Sequence, residues 1–364
     1  MKKIGILTFH RAMNYGAILQ VYALQKKIGN NCVVLDYRNQ DTFEKDYTLN
    51  FFKKKGLKNK IKCFMKWIIL PKSNYKLYIK GKKLRKFLET NIECSPILNK
   101  QNVAEFVKNN IKTVVVGSDQ VWNMGLSNYD YTYVLDFCEE HEKKVSYAAS
   151  FGGYKNFNEN MLQCLKNFNS VTVREKEGVD LLAEIGVESK VVLDPTFLHE
   201  KSFWENFSKD VAVPKEKYVL IYTVAKQTNL YREAVEYAKN HNCAIYSLSE
   251  IKKSFFKYKG VFNSSAEEFI GYVKNAECVF TTSFHGMALS INLNKEFYYE
   301  LSKEKINNNS RIIHIAETLG LESREIKNNK NINKESIEWE KVNDKLKELR
   351  TQSAEILEEM LKDE

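Results

Sequence analysis

From its first residues the chain alternates between short apolar runs and stretches with helical spacing. Ile4–Phe9 reads as a strand, followed by a polar turn through Asn14 and Gly16. Ala17, Val21, Leu24 and Ile28 then recur at i, i+4, i+7 and i+11, the spacing of one buried helical face. Further strand candidates are Cys32–Leu35, Thr113–Gly117, Val145–Ala149, Ser170–Val173 and Lys190–Leu193, with helical patterns at Glu159–Phe168 and Glu175–Ile185. Asp194-Pro195 closes this series with a turn signal. A second series runs through a strand at Tyr218–Val224, a helix at Tyr231–Asn240, a strand at Ala244–Leu248 and a helix at Ala266–Asn275. Ser265 and Glu268 can open that last helix with a capping box. Cys278-Val279-Phe280 ends another buried strand, Met287–Ile291 begins a helix, and a long helix is predicted from about Lys334 to Leu361.

Strands alternating with helices imply parallel sheets covered on both faces. A chain of 364 residues exceeds one ordinary core. The pattern therefore predicts an α/β protein with two Rossmann-like domains facing a cleft: residues 1–195, residues 196–333, and a C-terminal helix over 334–364. A basic helical insertion is placed at about 41–100. Ligands in such folds bind at the carboxyl ends of strands, so the turns there hold the candidate chemistry.

Composition narrows the class. Hydrophobic residues at 43% and charged residues at 28% describe a soluble globular protein. The apolar run from Ile4 stops at His10-Arg11, too soon for a signal peptide, and no stretch approaches the roughly 18 apolar residues of a membrane span. Seven cysteines are scattered without a CxxC pair, which predicts reduced thiols and a cytoplasmic address. Of the net charge of +10, the segment Tyr47–Leu88 carries fourteen Lys or Arg and no Asp or Glu, so the remainder is net acidic. That confinement argues against nucleic acid as a partner. Residues 53–86 mix cations with Phe64, Met65, Trp67, Ile68, Ile69 and Leu70. Such a stretch either lies on an anionic leaflet, worth about 1 kcal/mol per cation, or is a solvated basic insertion.

Four turns carry candidate chemistry. Thr281-Thr282-Ser283-Phe284-His285-Gly286 joins a strand to a helix, where free N–H groups and the helix dipole favour an anion and His285 can move a proton. His10–Gly16 has Asp36 about 20 residues beyond it, as a dinucleotide site would, but one glycine where that fingerprint needs three. A loop that positions Arg11 and Asn14 at the cleft is the better reading. After the strand ending at Val116, Ser118, Asp119 and Gln120 are costly to bury unpaired. Asp119 can orient or deprotonate a sugar hydroxyl, and Trp122 is either core or a platform for a sugar ring. Arg174, at the end of Ser170–Val173, is either a surface ion pair or a bidentate clamp on phosphate or carboxylate. No His/Cys/Asp cluster has ligand spacing, so no metal is expected.

Six stretches taken together resemble the polysaccharide pyruvyl transferase family: Asn14-Tyr15-Gly16-Ala17-Ile18-Leu19-Gln20, Gly117-Ser118-Asp119-Gln120-Val121-Trp122-Asn123, Ser150-Phe151-Gly152, Val173-Arg174-Glu175-Lys176, Leu193-Asp194-Pro195-Thr196 and Thr282-Ser283-Phe284-His285-Gly286. They occur in the family's order across roughly residues 13 to 300. The resemblance implies a glycosyltransferase-B-like pair of Rossmann domains. It implies transfer of pyruvate from phosphoenolpyruvate, a donor substrate rather than a cofactor, to a glycan or lipid-linked oligosaccharide as a ketal. It also implies that Arg174 and His285 lie at the donor site. In one respect the chain departs: Ser283 stands where members often carry an arginine two residues before the histidine. Arg311 or Arg11 can supply that charge. On this reading His285 is the acid/base and Asp119 assists the acceptor. Thr282, Ser283 and Gly286 join the arginines around the donor, while Asn14, Gln120 and Trp122 line the acceptor side. Expected location is cytoplasmic, with peripheral contact at the inner face of the membrane. The rival readings are a nucleotide-sugar glycosyltransferase of the same fold and a non-catalytic glycan- or membrane-binding relative.

Overall fold

Strands that must be covered on both faces are apolar on both faces, and that is how this chain builds its two sheets. The computed structural model describes residues 2–39, 71–139, 142–224, 229–249, 257–302, 309–327, 332 and 335–362. In order, the first half contains β1 (Lys3–Leu7), α1 (Tyr15–Ile28), β2 (Cys32–Val34), α2 (Pro71–Asn91), α3 (Val103–Asn110), β3 (Ile111–Val116), α4 (Met124–Ser127), β4 (Lys143–Ala149), α5 (Glu159–Lys166), β5 (Ser170–Val173), α6 (Lys176–Glu184) and β6 (Lys190–Val191). The second half continues with α7 (Lys201–Phe207), β7 (Tyr218–Tyr222), α8 (Asn229–Asn240), β8 (Ala244–Ser247), β9 (Lys259–Gly260), α9 (Ala266–Asn275), β10 (Cys278–Thr281), α10 (Phe284–Asn292), β11 (Phe297–Tyr299), α11 (Ser310–Leu319) and α12 (Trp339–Leu361).

All strand pairs are parallel. The first sheet has the order β2-β1-β3-β4-β5-β6 and the second β11-β10-β7-β8-β9. In each, the winding reverses at one point, between β1 and β3 in the first sheet and between β7 and β10 in the second. A doubly wound sheet opens a crevice where its winding reverses, because the flanking helices depart to opposite faces. The turns after β1, β3, β7 and β10 therefore border the two crevices.

The sheets are not independent bodies loosely facing each other. One hydrophobic cluster runs from Ile6 and Leu19 through Phe197 and Trp204 to Tyr218, Phe269 and Met287. Helix α1 explains this continuity. The sequence spacing marks one buried face, but Ile18, Leu19 and Ala23 are buried as well, because the helix is sandwiched between its own sheet and the second unit. Its first residue, Tyr15, stacks on Phe269 at 4.6 Å and donates its hydroxyl to the carbonyl of Ser264. The capping box that opens α9 is formed, with Ser265 accepting from Glu268 N and Glu268 accepting from Ser265 N.

Helix α2 straps the two halves together. Phe87 packs on Tyr22 of α1 and on Phe207 of α7, while Lys83 pairs with Glu268 of α9. Lys80 lies over the Tyr15 ring at 3.9 Å, and burial pulls its pKa down to about 8. Most of the apolar-and-basic part of this segment, residues 53–70, lies outside the described residues. Among the described residues no helix is long and apolar enough to cross a membrane. Boundaries otherwise differ from the sequence pattern by a few residues. β6 is a two-residue edge strand where a run to Leu193 is predicted, and the last helix starts at Trp339.

Phe87 is 3% exposed between two units. Phe87→Ala should cost about 3–5 kcal/mol in urea unfolding. A loss under about 1 kcal/mol would show that α2 contributes no docking energy of this kind.

Candidate active site

The site is assembled where the two crevices meet, and its geometry follows from local capping. Ser118 follows β3 and Thr8 follows β1. Thr8 Oγ1 donates to the carbonyl of Ser118 at 2.7 Å, and Gln20 of α1 donates to Thr8 Oγ1 while accepting from Ser118 N. These bonds lock the first crevice and aim the Ser118 hydroxyl at Asp194, where it donates at 3.0 Å.

Asp194 caps the 3₁₀ turn Pro195–Phe197. Its carboxylate also accepts from Thr196 N at 3.0 Å, from Thr196 Oγ1 at 2.7 Å and from Arg174 Nη1 at 2.7 Å. Its Oδ2 lies 3.7 Å from His285 Nε2. Burial works to raise the Asp194 pKa, but His285, Arg174 and the Thr196 N–H outweigh it and hold the carboxyl below the usual range. The same carboxylates keep Arg174 above its ordinary pKa despite the burial that opposes its charge.

Arg311, the second residue of α11, comes to the same place. Its Nη1 lies 3.9 Å from Asp119 Oδ1, and Arg174 Nη2 lies 3.6 Å from that same oxygen. Both guanidinium carbons stand over the Phe284 ring, at 4.7 Å for Arg174 and 5.8 Å for Arg311. Two buried cations side by side are unfavourable. Burial first, and then repulsion from Arg174, lowers the Arg311 pKa to about 10. Among the described residues, Arg174 Nε and Nη2, Arg311 Nε and His285 Nε2 are buried with no hydrogen-bond partner. Buried donors are rarely left so, and a cluster of them marks where an anion fits. A cavity of about 80 Å³ reaches the arginines from between α11 and α12, lined by Phe284, His314, Leu349 and Gln352.

His285 sits inside α10 rather than before it, because Ser283 caps the helix by accepting from Gly286 N at 3.4 Å. Its ring packs on the first turn of α1. A Cβ on Gly16 would lie 2.0 Å from Nδ1, so only glycine admits this approach. Gly286 is required in the same way, since a Cβ there would meet Thr281 Oγ1 at 2.3 Å.

Several candidates from the sequence are placed differently from expectation. The turn after β10 closes largely on itself. Thr282 N donates to Tyr222 O, Ser283 N to Thr281 Oγ1 and Gly286 N to Ser283 Oγ, while Thr282 Oγ1 accepts from Val224 N. Most of this turn's N–H groups are therefore spent, and the positive charge nearby is that of the arginines. Arg11 is not at the cluster; it makes a bidentate pair with buried Asp36, which Arg38 and His10 share. Of the two arginines considered for the charge absent at Ser283, Arg311 is the one at the cluster. Trp122 is core: it is fully buried, packs on Phe151 and Phe168, and donates its indole N–H to the Tyr133 carbonyl. It has no face to offer a sugar. Asn14 caps α1 by accepting from Gly16 N. The Gln120 side chain lies against Gly152, its buried Oε1 without a hydrogen bond among the described residues. Asp119 is present with φ at +76°, a strained conformation for an L residue.

Two members of the cluster were given no role from the sequence. Asp194 read as a turn signal and part of a motif, and Glu175 only as part of a motif. Glu175 is buried, accepts from Ser150 Oγ at 2.7 Å, and leaves Oε2 unpartnered among the described residues. Burial raises its pKa. An acid directly after a candidate clamp arginine was the available signal for it. Among the described residues no group of three or more His, Cys, Asp or Glu could hold a metal ion.

The chain matches the polysaccharide pyruvyl transferase family over residues 14–299. Among solved structures it is similar to the UDP-GlcNAc 2-epimerase of Neisseria meningitidis bound to UDP-GlcNAc, with a TM-score of 0.53, 9% identity and 99% of each chain covered. It is also similar to the UDP-N-acetylglucosamine 2-epimerase of Rickettsia bellii, with a TM-score of 0.50, 8% identity and 99% of each chain covered. At these identities the likeness is one of fold, which is glycosyltransferase-B-like. No curated protein matches the sequence.

Two outcomes are expected from this geometry. The depressed pKa of Asp194 means that its contribution to stability is fully present above the ordinary carboxylate pKa of about 4 and is lost as pH falls below it. Asp194→Asn should cost about 3–5 kcal/mol at pH 7, with a gap to the wild type that closes on acidification. A gap independent of pH in denaturant melts would refute the charge assignment. Gly16→Ala should lower stability by about 1–3 kcal/mol and shift the imidazole NMR signals of His285. Unshifted signals would rule out the packing of α1 on that ring.

Proposed function

The chain belongs to the polysaccharide pyruvyl transferase family, and from that premise we propose that it transfers pyruvate from phosphoenolpyruvate to two hydroxyls of a glycan, forming a ketal. The observation that carries this reading is the buried pair Arg174 and Arg311, three of whose guanidinium nitrogens, like His285 Nε2, make no hydrogen bond among the described residues. Phosphoenolpyruvate brings a phosphate and a carboxylate, and an anion beside the two arginines would offset the burial and the repulsion that lower Arg311. Arg311 thus takes the part that an arginine at 283 plays in relatives.

Protonation of the donor's methylene carbon leaves positive charge on the adjacent carbon, which a sugar hydroxyl attacks. Phosphate departs, and the second hydroxyl closes the ring. One proton goes to the methylene carbon and one to the departing phosphate, and the two acceptor hydroxyls supply both. His285 is the acid in this scheme. Asp194 Oδ2 faces that ring, 3.7 Å from its Nε2. Asp119, between the arginines, orients an acceptor hydroxyl. The acceptor is a cell-surface glycan or its lipid-linked precursor, reached from the cytoplasmic side; in the basic segment, Lys80 and Lys83 of α2 are engaged by the protein itself rather than free for a leaflet.

A nucleotide-sugar donor is the weaker reading. The N-terminal turn of α8, one of the two helix starts at the second crevice where a diphosphate could dock, is already capped by a carboxylate. Glu300 accepts from Leu230 N at 2.8 Å and from Asn229 Nδ2 at 3.0 Å.

Phosphoenolpyruvate should raise the melting temperature of the wild type, and UDP-sugars should not. His285→Ala should lower phosphate release by about 100-fold or more while keeping the fold. Arg311→Ala should weaken donor binding with less effect on turnover at saturation. Stabilisation by a UDP-sugar alone, or near-normal release from His285→Ala, would overturn the proposal. A ketal methyl signal in the NMR spectrum of the product glycan identifies the reaction.

A further inference from the structure

Of the carboxylates around the two arginines, Glu175 is the one whose charge is least supported. Arg174 and Arg311 are the cations of the cluster, and Asp194, Asp119 and Glu175 are its anions. With His285 neutral, the cluster is therefore net negative before any ligand arrives. Asp194 holds its charge readily, because Ser118, Arg174 and both donors of Thr196 bond to it. Asp119 keeps 13% of its side chain in solvent, accepts from Gln120 N at 2.9 Å, and lies 3.6 and 3.9 Å from the two guanidiniums.

Glu175 has neither advantage. Its side chain is 2% exposed. Oε1 accepts one hydrogen bond, from Ser150 Oγ at 2.7 Å, and Oε2 has none among the described residues. What favours its ionised form is mainly charge at a distance: Arg174 Nε stands 4.0 Å from Oε2, and Arg311 adds its field. Glu177, in the first turn of α6, works against that form. Burial raises the Glu175 pKa, and the two arginines with the Ser150 bond oppose the rise.

An incoming anion would use those same arginines. Arg174 Nε and Nη2 and Arg311 Nε are buried without a hydrogen bond among the described residues. A dianion bound there cancels the field that favours a charged Glu175 and makes a buried cluster more negative still, which a site shielded from water resists. Protonating Glu175 is the least costly relief. Its Oε1 can go on accepting from Ser150, and no bond of Asp194 or Asp119 is broken.

We infer that Glu175 takes up a proton when a dianion settles on Arg174 and Arg311, so that donor binding is coupled to proton uptake at this residue. The inference rests on the anionic-donor reading above. The proton comes from solvent and returns to it when the anion leaves, and no bond of the donor is made or broken. Glu175 then binds its proton more tightly in the complex than in the free protein. Anion affinity is accordingly greatest at low pH and weakens as pH rises between the two values, by up to about tenfold per unit.

Sulfate is the first probe, because it is a dianion that does not itself titrate near neutral pH, and phosphoenolpyruvate is the second. Calorimetric titration of the full chain at pH of about 7, in two buffers of different ionisation enthalpy, should show uptake of about 0.5 proton or more per sulfate bound. Glu175→Gln, which can still accept from Ser150, should bind sulfate at least as tightly, with uptake below about 0.2 proton and an affinity nearly independent of pH. The infrared difference spectrum of the wild type with and without sulfate should gain the carbonyl band of a protonated carboxylic acid, a readout that needs no variant. Sulfate binding without uptake, uptake that persists in Glu175→Gln, or a difference spectrum without that band overturns the inference. So does failure of both anions to bind. Phosphoenolpyruvate keeps the two readings apart. If sulfate binds with uptake and phosphoenolpyruvate does not bind, the coupling stands and pyruvyl transfer falls. If phosphoenolpyruvate binds and neither anion brings a proton, the reverse holds.

Discussion

A single carboxylate with no solvent exposure, that of Asp194, sets the arrangement on which the rest of the site depends. It receives Ser118 from the first crevice, Arg174 from the end of β5 and the N–H of its own 3₁₀ turn, and it faces His285 of the second unit. A buried charge is tolerable only when its lone pairs are satisfied and a cation is close. Ser118, Arg174 and Thr196 satisfy Asp194 locally, and docking of the second unit brings His285 to face it. The hydrophobic cluster that runs from one sheet to the other fixes that docking in one register.

The register explains features that look unrelated along the chain. Gly16 is needed because the first turn of α1 lands on the His285 ring. Phe284 is held under two guanidiniums because α10 begins at Ser283 and directs its first side chain toward Arg174 and Arg311. The cation that the β10–α10 turn lacks is delivered from α11, a helix about 25 residues further on. Arg174 and Arg311 meet over the ring of Phe284 although they come from different elements, so more than one backbone position can bring charge to the same place.

Polar satisfaction also decides what each motif can do. The Thr281–Gly286 turn spends several of its N–H groups on its own cap and on Tyr222, so it shapes the pocket rather than supplying most of its charge. The Gly117–Asn123 loop divides its labour: Trp122 points inward and anchors the loop, while Asp119 faces the arginines. Aromatic surface toward solvent is left to the tyrosines that follow.

The alternation of apolar runs and helical spacings determined the α/β class, the two parallel sheets and nearly every central element, because burial on both faces imposes its periodicity locally. Turn chemistry was legible too, as the Ser265–Glu268 box shows, since a cap is completed within four residues. The ordered motifs placed Arg174 and His285 near one another. Local pattern could not decide which way a side chain faces once two units dock. Trp122 inward, Arg11 on Asp36, Arg311 beside Arg174 and Asp194 facing His285 all depend on contacts across tens to more than a hundred residues. Those placements are set by the need to pair buried charge and fill the core, and only the tertiary structure satisfies both at once.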